Sequence, residues 1–315
     1  MIYDSIENII IDDVFFKARS YCNNIDVHIK LEGFNIPGSI KLKPAKFMID
    51  EAEKAGTLTK GSKIIESSSG NLGVALSHIC ASRNYPFICV TDVKASEQNI
   101  RVMRALGSEV VIIDKLDSNF GYVEHRLNYI NERLRADPNM VWLNQYANTQ
   151  NTLSHFETTA QAILTEFDKI DYLFIGAGTT GTLMGCLKRF KIDSPHTTIV
   201  AVDATGSINF SDQPGKRYLA GLGSSRKPEI LELDLVNETI LIDEQDAIRH
   251  CKRLAKHYGI LAGASTGTAL AAVDKWSLRF KPEDTVVTIS PDWGRSYLDT
   301  VYDEAWVKDT FGLIS

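Results

Sequence analysis

The sequence predicts an α/β fold of two domains, each a mostly parallel sheet flanked by helices. Strand-like and helix-like segments alternate along most of the chain, and the strand-like segments are rich in β-branched residues. This alternation is typical of parallel sheets covered by crossover helices. The chain has 315 residues, more than one ordinary domain of roughly 100–200 residues.

The predicted strands are short apolar segments, most of them near a helical segment. They are expected at residues 27–31, 63–67, 87–92, 109–114, 172–175, 198–203 and 285–289. Helical periodicity is expected in the segments that begin at Asn71, Ser96, Leu183 and Ala269. Residues 206–228 are rich in Gly, Ser, Asp and Pro, which predicts an irregular loop at the active site.

Composition narrows the possible partners and compartment. The net charge is −6, which argues against nucleic acid or an anionic membrane surface as partner. The N-terminal segment lacks a basic signal-peptide region, and no uncharged apolar run is long enough to span a bilayer. The five cysteines are scattered without metal-site spacing. We therefore expect a cytoplasmic protein with buried, reduced cysteines and no bound metal.

Lys41 is the first candidate functional residue. It follows a Pro-Gly-Ser turn and stands between Ile40 and Leu42. Burial among apolar neighbours would lower the pKa of its amine and make it a better base or nucleophile. An exposed lysine at a helix start is the simpler alternative when this segment is considered alone.

A glycine-rich loop at residues 176–182, GAGTTGT, lies between a predicted strand and a helix. Backbone N–H groups and the positive end of a helix dipole bind phosphate at such a junction, although a plain tight turn would look similar. The same loop spells G-x-G-x-x-G, and Asp203 ends the next strand. Alone, that pattern would suggest an NAD-dependent dehydrogenase.

Two further loops precede predicted helices, and the first of them follows a predicted strand. Residues 66–73, ESSSGNLG, offer hydroxyl and amide groups for a carboxylate, with serine capping of the helix as the alternative. Asn71 in this loop could hydrogen-bond a phenolate-like oxygen. Residues 263–269, GASTGTA, open another helical segment and indicate little by themselves.

Taken in order, the motifs are a lysine after a Pro/Gly turn, S-S-G-N-x-G, a Thr-Gly phosphate loop, G-x-S-x-G and P-D-x-G. This order resembles the fold type II (β-family) pyridoxal-phosphate enzymes, which include cysteine synthase and cystathionine β-synthase, over about residues 25–306. The resemblance implies a fold like the tryptophan synthase β subunit, pyridoxal 5'-phosphate in a cleft, and a homodimer. It also implies a smaller mobile domain at residues 35–145 and a larger cofactor-binding domain at residues 1–34 and 146–315.

The resemblance implies a role for each matching residue. Lys41 is expected to bond covalently to the cofactor and then to remove the α-proton of the substrate. Asn71 is expected to contact the ring oxygen of the cofactor, and Ser265 the pyridine nitrogen. The cofactor phosphate is assigned to Gly178, Thr179, Thr180, Gly181 and Thr182, and the substrate carboxylate to Ser68, Ser69, Gly70 and Gln145.

A serine opposite the pyridine nitrogen leaves that nitrogen largely unprotonated, which favours β-elimination over a long-lived carbanion. The resemblance therefore implies β-replacement on an O-activated L-serine through an aminoacrylate intermediate, with ping-pong kinetics.

Three stretches resemble one subgroup, the N-(2-amino-2-carboxyethyl)-L-glutamate synthases of siderophore and 2,3-diaminopropionate biosynthesis. They are FGYVEHR (120–126), NQYAN (144–148) and LAGLGSSRKPEIL (219–231). These enzymes join O-phospho-L-serine to L-glutamate and release phosphate. Both substrates are anionic and call for local cations. We expect Arg126 and Tyr146 at the leaving phosphate, Arg226 at a substrate carboxylate, and Gly221 in the substrate site.

Two positions depart from the pattern. Leu42 and Lys43 stand where the family has Asp-Arg, and Gly178 stands where this subgroup has a serine. Gly178 favours an alternative, a cysteine synthase or cysteine β-lyase acting on O-acetylserine, cysteine or sulfide. Leu42 motivates an alternative of another class, a cofactor-binding regulatory paralogue with little catalysis.

Overall fold

The computed structural model describes residues 2–312. Within this range the strands are β1 (Phe15–Cys22), β2 (Ile25–Leu31), β3 (Lys63–Ser67), β4 (Phe87–Asp92), β5 (Glu109–Ile113), β6 (Met140–Trp142), β7 (Tyr172–Gly176), β8 (Thr198–Ala204), β9 (Glu238–Ile242) and β10 (Val286–Ser290). The α-helices are α1 (Leu42–Lys54), α2 (Asn71–Arg83), α3 (Glu97–Ala105), α4 (Val123–Ala136), α5 (Thr149–Glu157), α6 (Thr159–Glu166), α7 (Gly181–Asp193), α8 (Glu244–Tyr258), α9 (Ala264–Trp276) and α10 (Glu304–Phe311).

The strands form two sheets, which confirms the predicted α/β class. One has six strands in the order β1-β2-β10-β7-β8-β9, and the other has four in the order β5-β4-β3-β6. All neighbouring strands are parallel except the β1–β2 pair. The four-stranded sheet lies within the predicted smaller domain, and the limits of that domain at residues 35 and 145 stay a prediction.

Each sheet is covered on both faces, as expected for parallel strands. Alternate residues of β8 point to opposite sides, so that Val200 packs with residues of α8 and α9 while Ala201 packs with residues of α6 and α7. In the small sheet, Ile64 joins a cluster with α1, α2 and α3, and Ile65 joins one with α4. All five cysteines are buried in these cores.

Residues 206–228 contain neither helix nor strand, as the composition of that segment predicts. Among residues 2–312, no helix combines the length and the apolar character that crossing a bilayer requires.

Helix α9 packs closely against α8, and Gly267 is the point of contact. A Cβ added at Gly267 would lie 2.1 Å from the carbonyl oxygen of Ala247 and 2.4 Å from Sγ of Cys251. Backbone and a fully buried thiol leave no room for that atom. The second glycine of the G-x-S-x-G motif is therefore explained by helix packing, and it fixes the start of α9, where Ser265 lies.

We predict that Gly267→Ala lowers the free energy of unfolding by about 1–3 kcal/mol because the added methyl group overpacks the α8–α9 contact. Urea denaturation of the variant and the wild type measures this change. Gly178→Ala is the matched control, since a Cβ there would lie 3.4 Å from its nearest neighbour, the carbonyl oxygen of Gly221. Equal losses in the two variants would contradict the packing explanation.

Candidate active site

The turn before Lys41 and the loop after β7 lie at the carboxyl edge of the six-stranded sheet, whereas the serine loop follows β3 of the four-stranded sheet. The N–H of Ile40 donates a hydrogen bond of 2.8 Å to the carbonyl oxygen of Pro291, just after β10. Ser39 forms an isolated bridge with Asp292. These bonds hold the Pro-Gly-Ser turn at the sheet edge, next to the loop that follows β7. Ligands bind at such edges in open α/β sheets.

Lys41 immediately precedes α1 and is partly buried, with Ile40 and Leu42 buried on either side. Burial lowers the pKa of the Lys41 amine from its ordinary value to about 8. A neutral amine is therefore more accessible near physiological pH than for an exposed lysine. This is the state that a nucleophile or a general base requires.

Lys43 is completely buried and lies in an ion cluster. Its Nζ is 2.5 Å from Oδ1 of Asp12 and 2.7 Å from Oε1 of Glu32. Lys30, also fully buried, is 3.2 Å from the same Glu32 oxygen. The cluster therefore contains two lysines and two acids. Lys43 therefore has counter-ions even though Leu42, beside it, stands where the family has an aspartate. This departure from the family pattern is no reason to expect an inactive protein.

The loop at residues 176–182 ends β7 and starts α7. Thr180 has a left-handed backbone, with φ of 66°, and turns the loop into the helix. A Cβ at Gly181 would lie 2.1 Å from Oδ1 of Asn151, so only glycine fits there. The Asn151 Nδ2 donates to Oγ1 of Thr179 at 3.2 Å. The loop is thus held from behind by α5, and the N–H groups of residues 178–180 have no backbone acceptor in the described part of the chain.

This loop fits a phosphate group. The hydroxyl of Thr180 is buried and has no hydrogen-bond partner among residues 2–312. A buried hydroxyl without a partner is costly, and a bound anion would satisfy it. The N-terminus of a 13-residue helix adds a favourable dipole for negative charge. A cofactor phosphate held by Gly178, Thr179, Thr180, Gly181 and Thr182 is compatible with this arrangement.

In the serine loop after β3, the Ser68 side chain caps the start of α2. The Ser68 hydroxyl accepts hydrogen bonds from the N–H groups of Gly73 at 2.9 Å and Gly70 at 3.2 Å. Ser68 therefore does what the capping alternative predicts for it. Ser69 and Gly70 are partly exposed, and Gly70 is the N-cap residue of α2. Carboxylate binding by these three residues stays a prediction.

Asn71 begins α2 and contacts a residue that the sequence alone did not single out. Its Nδ2 donates to Oδ2 of Asp292 at 2.6 Å, and the Tyr297 hydroxyl donates to the same oxygen at 2.8 Å. Burial raises the pKa of the Asp292 carboxyl to about 6. Asp292 thus orients the Asn71 amide, and the only advance signal was its place in the P-D-x-G motif.

Ser265 is buried in the first turn of α9 and lies beside Gly221 of the irregular loop. A Cβ at Gly221 would be 3.7 Å from Oγ of Ser265 and 3.2 Å from the hydroxyl oxygen of Tyr297. Gly221 has a φ of +103°, which other residues rarely adopt. The structure therefore brings Gly221 and Ser265 together, close to the Asn71–Asp292 pair.

Gln145 contacts the serine loop through both its side chain and its backbone. Its Nε2 donates to the carbonyl oxygen of Ser67 at 2.6 Å, and its N–H donates to Oε2 of Glu66 at 3.3 Å. Glu66 is fully buried, and burial raises the pKa of its carboxyl to about 7. Glu66 has no role in the sequence-based site, yet it joins the two segments expected to hold the substrate carboxylate.

Arg126 and Tyr146 are both buried on the side of the small sheet that α4 covers. The Arg126 Nη1 is 3.4 Å from Oδ2 of Asp92. Neither Nε nor Nη1 of Arg126 has a hydrogen-bond partner in the described part of the chain. A buried guanidinium with unused donors is a candidate anion site.

Arg226 lies elsewhere, at a pocket of about 380 Å³ between α4 and the irregular loop. It is half-exposed and forms an ion pair with Glu229. The lining includes Arg226 alone among the predicted site residues, together with Asp117, Asn119, Glu124, Leu127, Asn128, Asn131, Ile208, Ser225 and Lys227. Its assignment to a substrate carboxylate stays a prediction.

Asp203, the acid that a dinucleotide site would require, is fully buried at the end of β8. Burial raises the pKa of its carboxyl to about 6, and the Arg217 guanidinium opposes that shift. The side chain is engaged inside the protein, where it accepts a hydrogen bond from the N–H of Ala204 at 2.8 Å. The geometry does not favour a ribose contact.

Comparison with known proteins agrees with this geometry. Residues 16–292 match the family model described as "Pyridoxal-phosphate dependent enzyme". The N-(2-amino-2-carboxyethyl)-L-glutamate synthase of Ralstonia nicotianae is 39% identical over 283 residues, which are 90% of this chain and 84% of that protein.

Solved structures show the same fold. O-ureido-L-serine synthase with bound O-ureido-L-serine superposes with a TM-score of 0.90 at 28% identity, covering 98% of both chains. The O-acetylserine-dependent cystathionine β-synthase of Helicobacter pylori has a TM-score of 0.87 at 27% identity, covering 95% of this chain and 98% of that one. A hydrogen sulfide-producing enzyme of Fusobacterium nucleatum has a TM-score of 0.87 at 31% identity, covering 94% and 100%.

These matches confirm the predicted fold type, an enzyme, and pyridoxal phosphate as its cofactor. They also exclude the dehydrogenase alternative suggested by G-x-G-x-x-G, since that loop belongs to the matched segment. The chain belongs to the family of pyridoxal-phosphate dependent enzymes, fold type II.

Proposed function

We propose that this enzyme converts O-phospho-L-serine and L-glutamate into N-(2-amino-2-carboxyethyl)-L-glutamate and phosphate. The observation that carries the proposal is the 39% identity to the Ralstonia synthase of that product across 90% of the chain. The relatives of known structure support the broader reaction class, because two are named for O-ureido-L-serine synthesis or O-acetylserine dependence.

In this reaction the Cβ–O bond of O-phospho-L-serine breaks, and phosphate leaves with the bonding electron pair. A Cβ–N bond to glutamate then forms, and the amine gives up one proton. Bound pyridoxal phosphate withdraws electrons from the α-carbon, which makes both the α-proton and the β-substituent easier to remove. Lys41 takes the α-proton and returns it to the same carbon, a task for which an amine of pKa about 8 is suited.

The other residues orient the reactants. The loop from Gly178 to Thr182 holds the cofactor phosphate at the start of α7, and Asn71, aligned by Asp292, contacts the cofactor ring. Ser265 presents a hydroxyl to the ring nitrogen. Ser68, Ser69, Gly70 and Gln145 hold the substrate carboxylate, with Gly221 closing the site from the irregular loop.

Arg126 supplies the cation for the leaving phosphate. Its unused Nε and Nη1 donors are buried, where a hydrogen bond to a dianion is stronger than in water. Tyr146 is buried in the same region and offers a hydroxyl. Arg226 would bind a carboxylate of glutamate once its exposed pair with Glu229 opens. We expect a cytoplasmic homodimer, as in the sequence-based prediction.

Sulfur chemistry is the second candidate. Gly178 carries no hydroxyl for a phosphate leaving group, and the Fusobacterium structure belongs to an enzyme that produces hydrogen sulfide. O-acetylserine or cysteine would then be the first substrate, and Arg126 would serve only to pair Asp92.

The substrates can be tested directly. We predict that the purified holoenzyme changes its visible absorption when O-phospho-L-serine is added and recovers it when L-glutamate follows, with release of one phosphate per turn. Phosphate release and product mass are the measurements, and D-phosphoserine is the control. Faster turnover with O-acetylserine and sulfide than with phosphoserine and glutamate would favour the sulfur chemistry.

We predict that Arg126→Lys lowers kcat/KM for O-phospho-L-serine by about 10- to 100-fold, the value of a hydrogen bond to a charged group. The lysine keeps a positive charge opposite Asp92 but loses the two donors of the fork. Steady-state kinetics with O-acetylserine in parallel should change less than about threefold, since its acetyl ester is uncharged in the substrate and leaves as a monoanion rather than as phosphate.

Arg133→Lys is the matched control on the same helix, because Arg133 is half-exposed and 3.9 Å from Glu109. The Arg133→Lys variant should keep the wild-type kcat/KM for both O-phospho-L-serine and O-acetylserine. Equal losses for O-phospho-L-serine and O-acetylserine in Arg126→Lys would show a structural role for Arg126 instead.

A further inference from the structure

A row of hydrogen bonds runs from the buried ion cluster to the loop at residues 176–182. Nζ of Lys43 lies 3.1 Å from Oγ1 of Thr159, which is 3.0 Å from Nδ1 of His155. Nε2 of His155 lies 3.2 Å from Oγ1 of Thr182, in the first turn of α7. The row therefore joins α1, α6, α5 and α7, and its last hydroxyl belongs to the predicted phosphate loop.

The first bond in this row has a fixed direction. A lysine ammonium has three N–H donors and no acceptor. The three donors of Lys43 are used by Asp12, Glu32 and Thr159. Thr159 therefore accepts from Lys43, and its own hydroxyl proton must point elsewhere.

Two arrangements of the neutral imidazole then remain. In the first, Thr159 donates to Nδ1 of His155, and the Nε2–H donates to Thr182. In the second, Nδ1–H donates to Thr159 and Thr182 donates to Nε2. The second arrangement leaves the Thr159 hydroxyl proton without an acceptor among the described residues, although Thr159 is fully buried. The first leaves instead the hydroxyl proton of Thr182, a residue of the loop that is only partly buried.

The first arrangement has the lower free energy. A hydroxyl proton without an acceptor is far more unfavourable in the interior than at a position that a ligand or water can reach. A protonated ring is also disfavoured. His155 is fully buried, and burial together with the nearby Lys41 and Lys43 lowers its pKa well below the ordinary value.

We propose that His155 is a positioning residue, held as the neutral tautomer with its proton on Nε2, which makes Thr182 an obligate acceptor on that side. The Thr182 hydroxyl then directs its own proton into the loop, where it donates to the cofactor phosphate. Lys43 sets the direction of the whole row, since its ammonium occupies the Thr159 oxygen. This role rests on the proposed placement of the phosphate at residues 176–182, and is independent of the leaving group and of the nucleophile.

The tautomer can be observed without any turnover. We would record ¹⁵N–¹H spectra of histidine-labelled enzyme with and without pyridoxal phosphate, and assign His155 by its absence from His155→Gln. We expect one protonated nitrogen, Nε2, in the wild type and in Thr159→Ser. In Thr159→Val, which removes the hydroxyl with little change of shape, the proton should redistribute toward Nδ1. A wild-type proton on Nδ1, or on both nitrogens, overturns the proposal.

Cofactor binding gives the second readout. Titration of apoenzyme with pyridoxal phosphate should show a dissociation constant about tenfold larger for Thr159→Val, the equivalent of one hydrogen bond. Thr182→Val should show a similar increase in the dissociation constant, while His155 keeps its proton on Nε2. The double variant, Thr159→Val with Thr182→Val, should show little further increase. Unchanged affinity in a folded Thr182→Val overturns the role toward the phosphate. If Thr159→Val does not fold, the wild-type spectrum still tests the tautomer of His155, and Thr182→Val still tests the contact with the cofactor phosphate. Neither readout depends on which substrates the enzyme uses.

Discussion

The pairing of Lys43 with Asp12 and Glu32 is the interaction on which the site depends. Lys30, Lys43 and Glu32 are fully buried and Asp12 is partly buried, and such a cluster tolerates no change of net charge because removing one partner leaves an uncompensated ion in the interior. Lys43 is the second residue of α1, so the cluster fixes the start of that helix. Lys41, one residue before the helix, is fixed with it.

Lys41 therefore lies two residues before Lys43 of the ion cluster and between the buried apolar side chains of Ile40 and Leu42. The backbone bond from Ile40 to Pro291 holds the turn at the end of β10, and the P-D-x-G segment that follows supplies Asp292 to orient Asn71. For the proposed anion sites, a chain of net charge −6 would rely on the N-terminus of α7 and on the unused donors of Arg126, rather than on a basic surface.

The sequence predicts the parts of this structure that local patterns control. Strands β3 and β4 have the predicted limits because they are apolar and end at turns. Three strands were not predicted: β6 has three residues, β1 is an antiparallel edge strand with polar positions, and β9 is the edge strand at the other end of the six-stranded sheet. The loops at residues 66–73 and 176–182 each lie between a strand and a helix, as predicted. Asp292 and Glu66 were missed because they bond to residues distant in sequence, and a carboxylate 221 residues from the amide it orients leaves no local pattern. His155 was missed although Thr159 is only four residues away, because its contact with Thr182 depends on how α5 packs against α7.

The most direct measurement is the identity of the lysine that carries the cofactor. Borohydride reduction of the holoenzyme, followed by proteolysis and mass spectrometry, fixes pyridoxal phosphate on the lysine to which it is joined. The proposed site predicts one modified peptide, labelled at Lys41, the partly buried lysine whose pKa is lowered. A label on Lys43 or on any exposed lysine would contradict the proposed site.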